Sequence, residues 1–355
     1  MGNTDPNENV GTIAVQEHHK FDIDALRNFI IENVEKFDGP LLVEEFAGGQ
    51  SNPTFLVKAG GKKYVMRRKP PGTLVKSAHA VDREFKVMSA LQNTDVPVPK
   101  TYKLCTDEKV IGTWFYLMEF LDGRVIWDSA DGNHSPSDRS SLWDSANKSL
   151  ASLHNVNYEN AGLSDFGKHS DYVGRQIKRW SEQYEYTKTQ NNPYMDNLID
   201  YLAKNKPEDD FCSIVHGDPA IENMMVHKNK YEVIALLDWE LSTLGNPLSD
   251  FAYLCMRYRN SLRNLDLKKL GIPYEEDYIE AYCQRTGRSE IQNWEFYMAF
   301  NMFRLAAILQ GIAKRVIDGT ASSRSAKLKG AQSYDMSMLA WAQIDKSVDI
   351  SKIAL

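Results

Sequence analysis

Apolar positions in residues 21–34 (FDIDALRNFIIENV) recur every three or four residues, at Phe21, Leu26, Phe29, Ile30 and Val34. That spacing predicts an amphipathic helix with Asp22 or Asp24 as its N-cap. The period then shortens. Residues 41–49 (LLVEEFAGG) and 54–69 (TFLVKAGGKKYVMRRK) read as strands, the latter a hairpin turning through Gly60-Gly61. Helical spacing returns in 79–93 (HAVDREFKVMSALQN) at Val81, Phe85, Met88 and Leu91. VPVPK (96–100) is an extended connector, and TWFYLMEFLDG (113–123) predicts an aromatic-rich strand stopped by Asp122-Gly123. Beyond about residue 124 the pattern is mostly helical and shows no internal repeat. The expected order is a mobile polar tail (1–20), a small β-rich N-lobe (21–117), a hinge (118–123) and a larger helical C-lobe (124–355). This is an α+β chain in two lobes.

One segment of the helical part does not read as helix: 213-SIVHGDPAIENMMVHKNKYEVIALLDWELSTLGNPLSD-250. An apolar lead-in breaks at His216-Gly217-Asp218, and two short apolar runs joined by HKNK predict a hairpin. That hairpin sets Asn223 at the start of one strand beside Asp238 at the end of the other, with Asp218 on the loop before them. A carboxylate and a carboxamide oxygen side by side are hard ligands suited to Mg²⁺, with room left for phosphate oxygens and water. A further acid one loop away is placed to accept a proton from an attacking hydroxyl, the arrangement phosphoryl transfer requires. The D-x4-N spacing matches the catalytic loop of protein kinases, with Gly217 where they carry arginine.

The upstream half supplies matching parts. Residues 46–55 (FAGGQSNPTF) lie between two strands, where Gly48, Gly49 and Ser51 can present backbone N–H groups to phosphates. Arg67 of YVMR stands where kinases place the lysine of their third strand, and Glu84 of DREF follows one helix later, so the two are expected to form an ion pair. Backbone groups at Glu119 and Leu121 of the hinge are expected to bind adenine, flanked by Met118. Ser164-Asp165-Phe166-Gly167 contains a literal DFG, but it precedes the catalytic loop and reads as a helix-flanking turn; Asp238 fills the metal role. His154 reads as a helix C-terminal residue. Asp250 reads as an N-cap, with a buttress of the loop backbone as the alternative; the two roles are compatible.

Composition narrows the classes. With 42% hydrophobic and 25% charged residues the 355-residue chain reads as an ordinary globular protein. A formal net charge of -6 speaks against a nucleic-acid partner. Four cysteines without C-x-x-C spacing suit packed thiols in a reducing compartment. The N-terminal residues show neither an apolar leader nor an arginine-rich presequence. The most apolar stretch, 296–313, is interrupted by Asn301, Arg304 and Gln310 and predicts a core helix, not a membrane span. The expected location is cytoplasmic.

HGDPAIENMMV followed by LLDWELSTLGNPLSDFAYL is similar to the aminoglycoside phosphotransferase/choline kinase-like family. More narrowly, GGQSNPTFLV, YVMRRKPPG, SAHAVDREFKVMSAL and LLDWELSTLGNPLSDFAY resemble the kinase-like domain fused to acyl-CoA dehydrogenases in family members ten and eleven, over roughly residues 25–330. No dehydrogenase part is present in these residues, so a stand-alone version is expected.

The resemblance implies a two-lobed, protein-kinase-like fold that uses ATP and Mg²⁺ to phosphorylate a small-molecule hydroxyl. Asp218 would be the base, Asn223 and Asp238 the metal ligands, Arg67 with Glu84 the phosphate anchor, and Ser51 with its neighbours the phosphate cover. Arginine in place of lysine and a covering loop that is not GxGxxG are its departures from protein kinases. The fused relatives suggest a hydroxyacyl-CoA or hydroxy acid as acceptor and a separate acyl-CoA dehydrogenase as pathway partner. Arg67-Arg68-Lys69 would then meet CoA phosphates, unless Arg68 and Lys69 are simply solvated. Arg175, Lys178 and Arg179 on the expected substrate helix (171–184) favour an anionic acceptor over a cationic aminoglycoside. The alternatives are a pseudokinase-like module that binds nucleotide or acyl-CoA without transfer, an aminoglycoside- or choline-type kinase, and a metal-dependent hydrolase, which would normally bring histidine ligands.

Overall fold

A computed structural model describes residues 11–47, 52–70, 80–130, 133–208, 211–321, 325–351 and 353. The strands are β1 Thr12–Ile13, β2 Leu42–Phe46, β3 Thr54–Ala59, β4 Lys62–Arg68, β5 Thr101–Cys105, β6 Phe115–Glu119, β7 Gly123–Val125, β8 Ser213–Val215, β9 Met224–His227, β10 Val233–Leu236 and β11 Thr243–Gly245. The helices are α1 Ile23–Asn33, α2 Val81–Leu91, α3 Glu108–Ile111, α4 Pro136–His154, α5 Tyr172–Thr187, α6 Pro193–Lys204, α7 Pro247–Cys255, α8 Leu267–Leu270, α9 Glu275–Thr286, α10 Trp294–Ile317, α11 Ala326–Ala331 and α12 Ser333–Trp341. They group into two compact units. The first takes the described residues of Met1–Trp127, Glu159–Leu163 and Glu222–Ser242; the second takes those of Asp128–Tyr158, Ser164–Ile221 and Thr243–Leu355.

The first unit is built on an antiparallel sheet in the order β1-β2-β3-β4-β6-β5. Alternation along β3 and β4 puts Phe55, Val57 and Met66 in the core, where Leu26 and Ile30 of α1 and Phe115 and Leu117 of β6 meet them. Each large aliphatic side chain so buried contributes about 1.5–3 kcal/mol, which is why the three-to-four spacing of α1 is kept. Asp22 is the N-cap of α1, its carboxylate accepting from the Ala25 N–H at 2.9 Å.

Residues 11–20, expected as part of a mobile tail, instead add β1 and a turn of 3₁₀ helix to the sheet. The buried Glu45 carboxylate anchors them, accepting from the Gln16 N–H (3.0 Å) and side-chain amide (2.8 Å) and pairing with His19 Nδ1 (2.8 Å). Burial would raise the Glu45 pKa, but these partners outweigh it and the net shift is downward. Segment Glu222–Ser242, placed by its sequence position in the C-lobe, falls in the first unit because β9 pairs with both β10 and β7 in a second small sheet.

The second unit is helical around the β8–β11 ladder. A capping box of Ser135 and Asp138 with Pro136 in the first turn starts α4. Helix α10 is long and apolar enough to cross a membrane, but 78% of its most apolar window is buried within the protein, where α5, α7 and α12 pack on it. The Phe251 and Tyr282 rings stack 3.8 Å apart at 8°. All four cysteines are free thiols. The DFG residues form the turn before α5. Phe166 is buried, and a Cβ on Gly167 would lie 2.4 Å from Thr243 Oγ1 and 2.8 Å from the Leu244 N–H nitrogen. That glycine serves the close approach of a loop to β11, so this DFG is a packing element.

Candidate functional site

In the first unit, β4 carries Arg67 one residue before its end and α2 turns Glu84 inward. Arg67 Nε lies 2.9 Å from Glu84 Oε2, the ion pair expected from the sequence. The same guanidinium reaches further: its Nη2 donates to Asp238 Oδ1 at 2.8 Å and stands 4.0 Å from Glu240. A lysine ammonium would meet two carboxylates through one nitrogen, whereas the guanidinium meets them through separate nitrogens of a rigid plane.

Glu84 is buried and held from two more sides. Asn52 donates to its Oε1 and the Tyr116 hydroxyl to its Oε2, both at 2.9 Å. Burial opposes the charge on Arg67, but Glu84, Tyr116 and Asp238 outweigh it and raise its pKa, so it stays a cation. Burial raises the Glu84 pKa, with Arg67 and Tyr116 pulling against it. Asn52 and Tyr116 were not singled out from sequence. Asn52 is the polar residue just past the expected phosphate cover, and its position there was the available signal.

Asp238 follows β10 in the left-handed region, at φ 64° and ψ 58°. Strain of this kind in a residue with a side chain costs about 1–3 kcal/mol and collects at working sites. Asn223 ends a 3₁₀ turn, Ile221–Asn223, and its carbonyl accepts from the Leu237 N–H at 2.8 Å. Asn223 and the residue before Asp238 are therefore tied across the hairpin, as its register requires. Among the described residues no group of three or more His, Cys, Asp and Glu is set to hold a metal. By donor chemistry alone, the Asn223 carboxamide and the Asp238 carboxylate are hard oxygen ligands, and Asp238 presents one of its oxygens to the Arg67 guanidinium.

The hinge residues are placed by β6. The Glu119 N–H donates to the Lys100 carbonyl at 2.7 Å, and the Leu121 carbonyl accepts from the Gly123 N–H at 3.0 Å. Gly48, Gly49 and Ser51 lie outside the described residues. Arg68 corrects an expectation: it is neither solvated nor turned toward a ligand. It is buried with its guanidinium 5.2 Å from the Phe21 ring and 5.8 Å from that of Phe55, and burial lowers its pKa against the pull of Glu45. Lys69 sits 4.0 Å over the Trp114 ring.

In the second unit, a buried polar frame positions the Asp218 loop. Asp250 accepts from the His216 N–H (2.7 Å) and the Gly217 N–H (2.8 Å). The cap of α7 is Asn246, which accepts from the Leu248 and Ser249 N–H groups, so Asp250 is the buttress and not the N-cap. Asn-Pro at 246–247 was the legible signal for that cap.

His154 ends α4 as expected, yet both ring nitrogens are engaged, Nδ1 with the Tyr282 hydroxyl at 2.7 Å and Nε2 with Asp250 Oδ2 at 3.2 Å. Arg304 of α10 donates to the Gly217 carbonyl at 2.6 Å, and the Tyr253 hydroxyl bonds the Asp218 carboxylate. Burial, then the charge of Asp218, raises the Tyr253 pKa, which keeps that hydroxyl a donor. Sequence reasoning read Arg304 only as an interruption of an apolar helix.

Gly217 carries φ 86° between two residues whose backbone groups are both fixed. Gly217→Ala should therefore cost about 1–2 kcal/mol, seen as a lower denaturant midpoint at unchanged slope. A midpoint equal to the wild type would mean that the loop relaxes out of the left-handed region at no cost.

Against this geometry, the phosphotransferase enzyme family matches residues 42–300. Acyl-CoA dehydrogenase family member 10 of Mus musculus is 43% identical over 311 residues, covering 85% of this chain but 29% of the mouse protein. A solved structure from Ralstonia eutropha, described as a proposed aminoglycoside phosphotransferase, is 47% identical with a TM-score of 0.86, covering 92% of this chain and 99% of that one. A choline kinase from Cryptosporidium parvum, at 14% identity and TM-score 0.63, covers 92% and 98% and shares the fold. The kinase-like fold expected from the sequence is the one found, and the chain is a member of the phosphotransferase enzyme family.

Proposed function

We propose that this chain is an ATP- and Mg²⁺-dependent phosphotransferase acting on the hydroxyl of a small molecule. One observation carries the reading: a single buried guanidinium, Arg67, holds both the helix acid Glu84 and the hairpin acid Asp238. In kinases the strand cation paired with the helix acid and the metal-binding acid after the catalytic loop must both be in place for transfer, and here one guanidinium ties the two acids together. In this reading Arg67, steadied by Glu84, grips ATP phosphate oxygens, and backbone groups at Glu119 and Leu121 receive adenine. Gly48, Gly49 and Ser51 cover the phosphates. Asn223 and Asp238 hold the metal, which when bound neutralises charge on the transferred phosphoryl group. Asp218, steered by Tyr253, takes the hydroxyl proton. The name of the mouse relative makes hydroxyacyl-CoA compounds and hydroxy acids the first acceptors to test, with a separate acyl-CoA dehydrogenase as the pathway partner.

The test is transfer from [γ-³²P]ATP, with and without Mg²⁺, into hydroxyacyl-CoAs, hydroxy acids, choline-like amines and aminoglycosides. Label in one class establishes both the reaction and the acceptor. Bound Mg·ATP with no labelled acceptor would favour nucleotide binding without transfer. Asp238→Ala should abolish the Mg²⁺-dependent thermal shift given by ATP, about 2.7 kcal/mol of stabilisation at a hundredfold excess over the dissociation constant. A shift unchanged in the variant would remove Asp238 from the metal role.

A further inference from the structure

Within the second unit, α5 and α10 line a half-open cavity of about 230 Å³. Its lining is unlike a core gap. Arg179 and Arg315 stand at it with Gln183, over a floor made of Trp180, Ala307 and Ile308. Among the described residues neither guanidinium pairs with a carboxylate. Two arginines left without an acid beside an aromatic and aliphatic floor form a receptor for an oxyanion carried on carbon, since the planar fork suits carboxylate and phosphate alike. Gly311 leaves the space open. A Cβ there would meet only Gln183 Nε2 at 3.8 Å and Arg315 Nη1 at 4.0 Å, although glycine in a helix interior costs about 1 kcal/mol against alanine.

The cavity is linked to the loop of Asp218 through two side chains. The Trp180 ring, which lines it, lies 5.9 Å from the guanidinium carbon of Arg304, and Arg304 in turn holds the Gly217 carbonyl. Trp180 and then Arg304 thus stand between this space and the frame of the expected base. The volume is below the roughly 300–1,000 Å³ that a drug-sized ligand fills, so it accommodates one end of an acceptor.

We propose that this cavity is an anion subsite for the acceptor, taking the carboxylate or phosphate of a small hydroxyl compound between Arg179 and Arg315 with the adjoining carbons on Trp180. The proposal deepens the phosphotransferase reading and rests on it for the word acceptor, but not for binding. It sets this chain apart from a kinase for cationic amines, which the two arginines would repel.

Binding can be measured without transfer, by calorimetry with short-chain hydroxycarboxylates, hydroxyalkyl phosphates of the same length, matched neutral hydroxyamides, and choline. The acids should bind, the amide and choline should not, and affinity should fall with added salt because the arginines are exposed. The ratio between carboxylate and phosphate identifies the natural anion. Arg179→Gln with Arg315→Gln should weaken the acids roughly tenfold or more, charge-assisted bonds being worth less at an exposed site than a buried one. Gly311→Leu sets its Cβ against the ends of two side chains only and carries the rest of the chain into the space, so it should abolish binding in a protein that melts no lower than the wild type.

Where transfer is seen, the arginine variants should raise the KM of the acidic acceptor more than they lower kcat. Amide and acid binding alike, or acid binding indifferent to all three substitutions, overturns the subsite, whatever the transfer assay shows. Arginine-dependent acid binding with no ATP-dependent labelling of any acceptor would uphold the subsite and overturn the phosphotransferase reading.

Discussion

Asp218→Asn is expected to lower phosphoryl transfer by about 10²–10⁴-fold while ATP·Mg²⁺ binding and folding stay near wild type. The substitution keeps shape. An asparagine carbonyl still accepts from Tyr253, and the Asp218 N–H, 3.4 Å from His216 Nδ1, belongs to the backbone and is untouched. What disappears is the capacity to take a proton. Removal of a base should act on kcat, whereas removal of a ligand, as in Asp238→Ala, should act on nucleotide binding first. Single-turnover transfer alongside an ATP·Mg²⁺ thermal shift separates the two. A variant that transfers at the wild-type rate would take Asp218 out of the chemistry, and one that neither transfers nor binds would make it a ligand. Tyr253→Phe offers a graded companion: it leaves the carboxylate but removes its donor, so a smaller loss in the same assay is expected.

How much of this was legible depended on range. Local signals carried well. Helix α1 follows from apolar spacing and its Asp22 cap, the β3–β4 hairpin from Gly60-Gly61, and the β9–β10 hairpin from two apolar runs around HKNK. Motif spacing also brought Arg67 to Glu84 across 17 positions, because strand and helix each have one buried face there. Pairings set by packing were not readable. β1 is two residues long and exists because Glu45, far along the chain, offers a buried carboxylate to Gln16 and His19. Arg68 alternates into the core by the period of β4, against its charge. Arg304 and Asn301 broke an apolar pattern, and in a buried helix such breaks mark polar groups with partners: Arg304 takes the Gly217 carbonyl and Asn301 the Ser249 carbonyl. A polar residue interrupting a core helix is therefore better read as a strut toward a neighbouring backbone carbonyl than as a flaw in the helix.

The strut with the largest expected effect on stability is Asp250. Its two oxygens take two backbone N–H groups of the His216-Gly217 turn, and one of them also faces His154 Nε2, all of it buried. Asp250→Ala strands these groups away from water, at about 1–3 kcal/mol for each donor left unmade. The expected loss is several kcal/mol, read as a lower denaturant midpoint, together with about a 10²-fold fall in transfer as the loop carrying Asp218 drifts. Stability within about 0.5 kcal/mol of wild type, the range of surface changes, would show that the loop does not depend on this carboxylate.

The pH dependence gives a second handle. Burial pushes the Asp250 pKa up, but His154, His216 and the turn N–H groups pull harder and leave it below its ordinary 3.8. Between that lowered value and 3.8 the unfolded chain binds a proton that the folded chain does not, so stability falls as pH falls through this window. The contribution is complete above pH 3.8, so neutral and mildly acidic solutions should show none of the loss. Asp250→Asn cannot titrate, and its second atom is a donor facing donors. The variant should be destabilised at neutral pH and should lack that part of the acid slope. A wild-type and variant pair with parallel stability profiles down to pH 2 would place the acid sensitivity elsewhere, in carboxylates such as Glu45 that share the same logic.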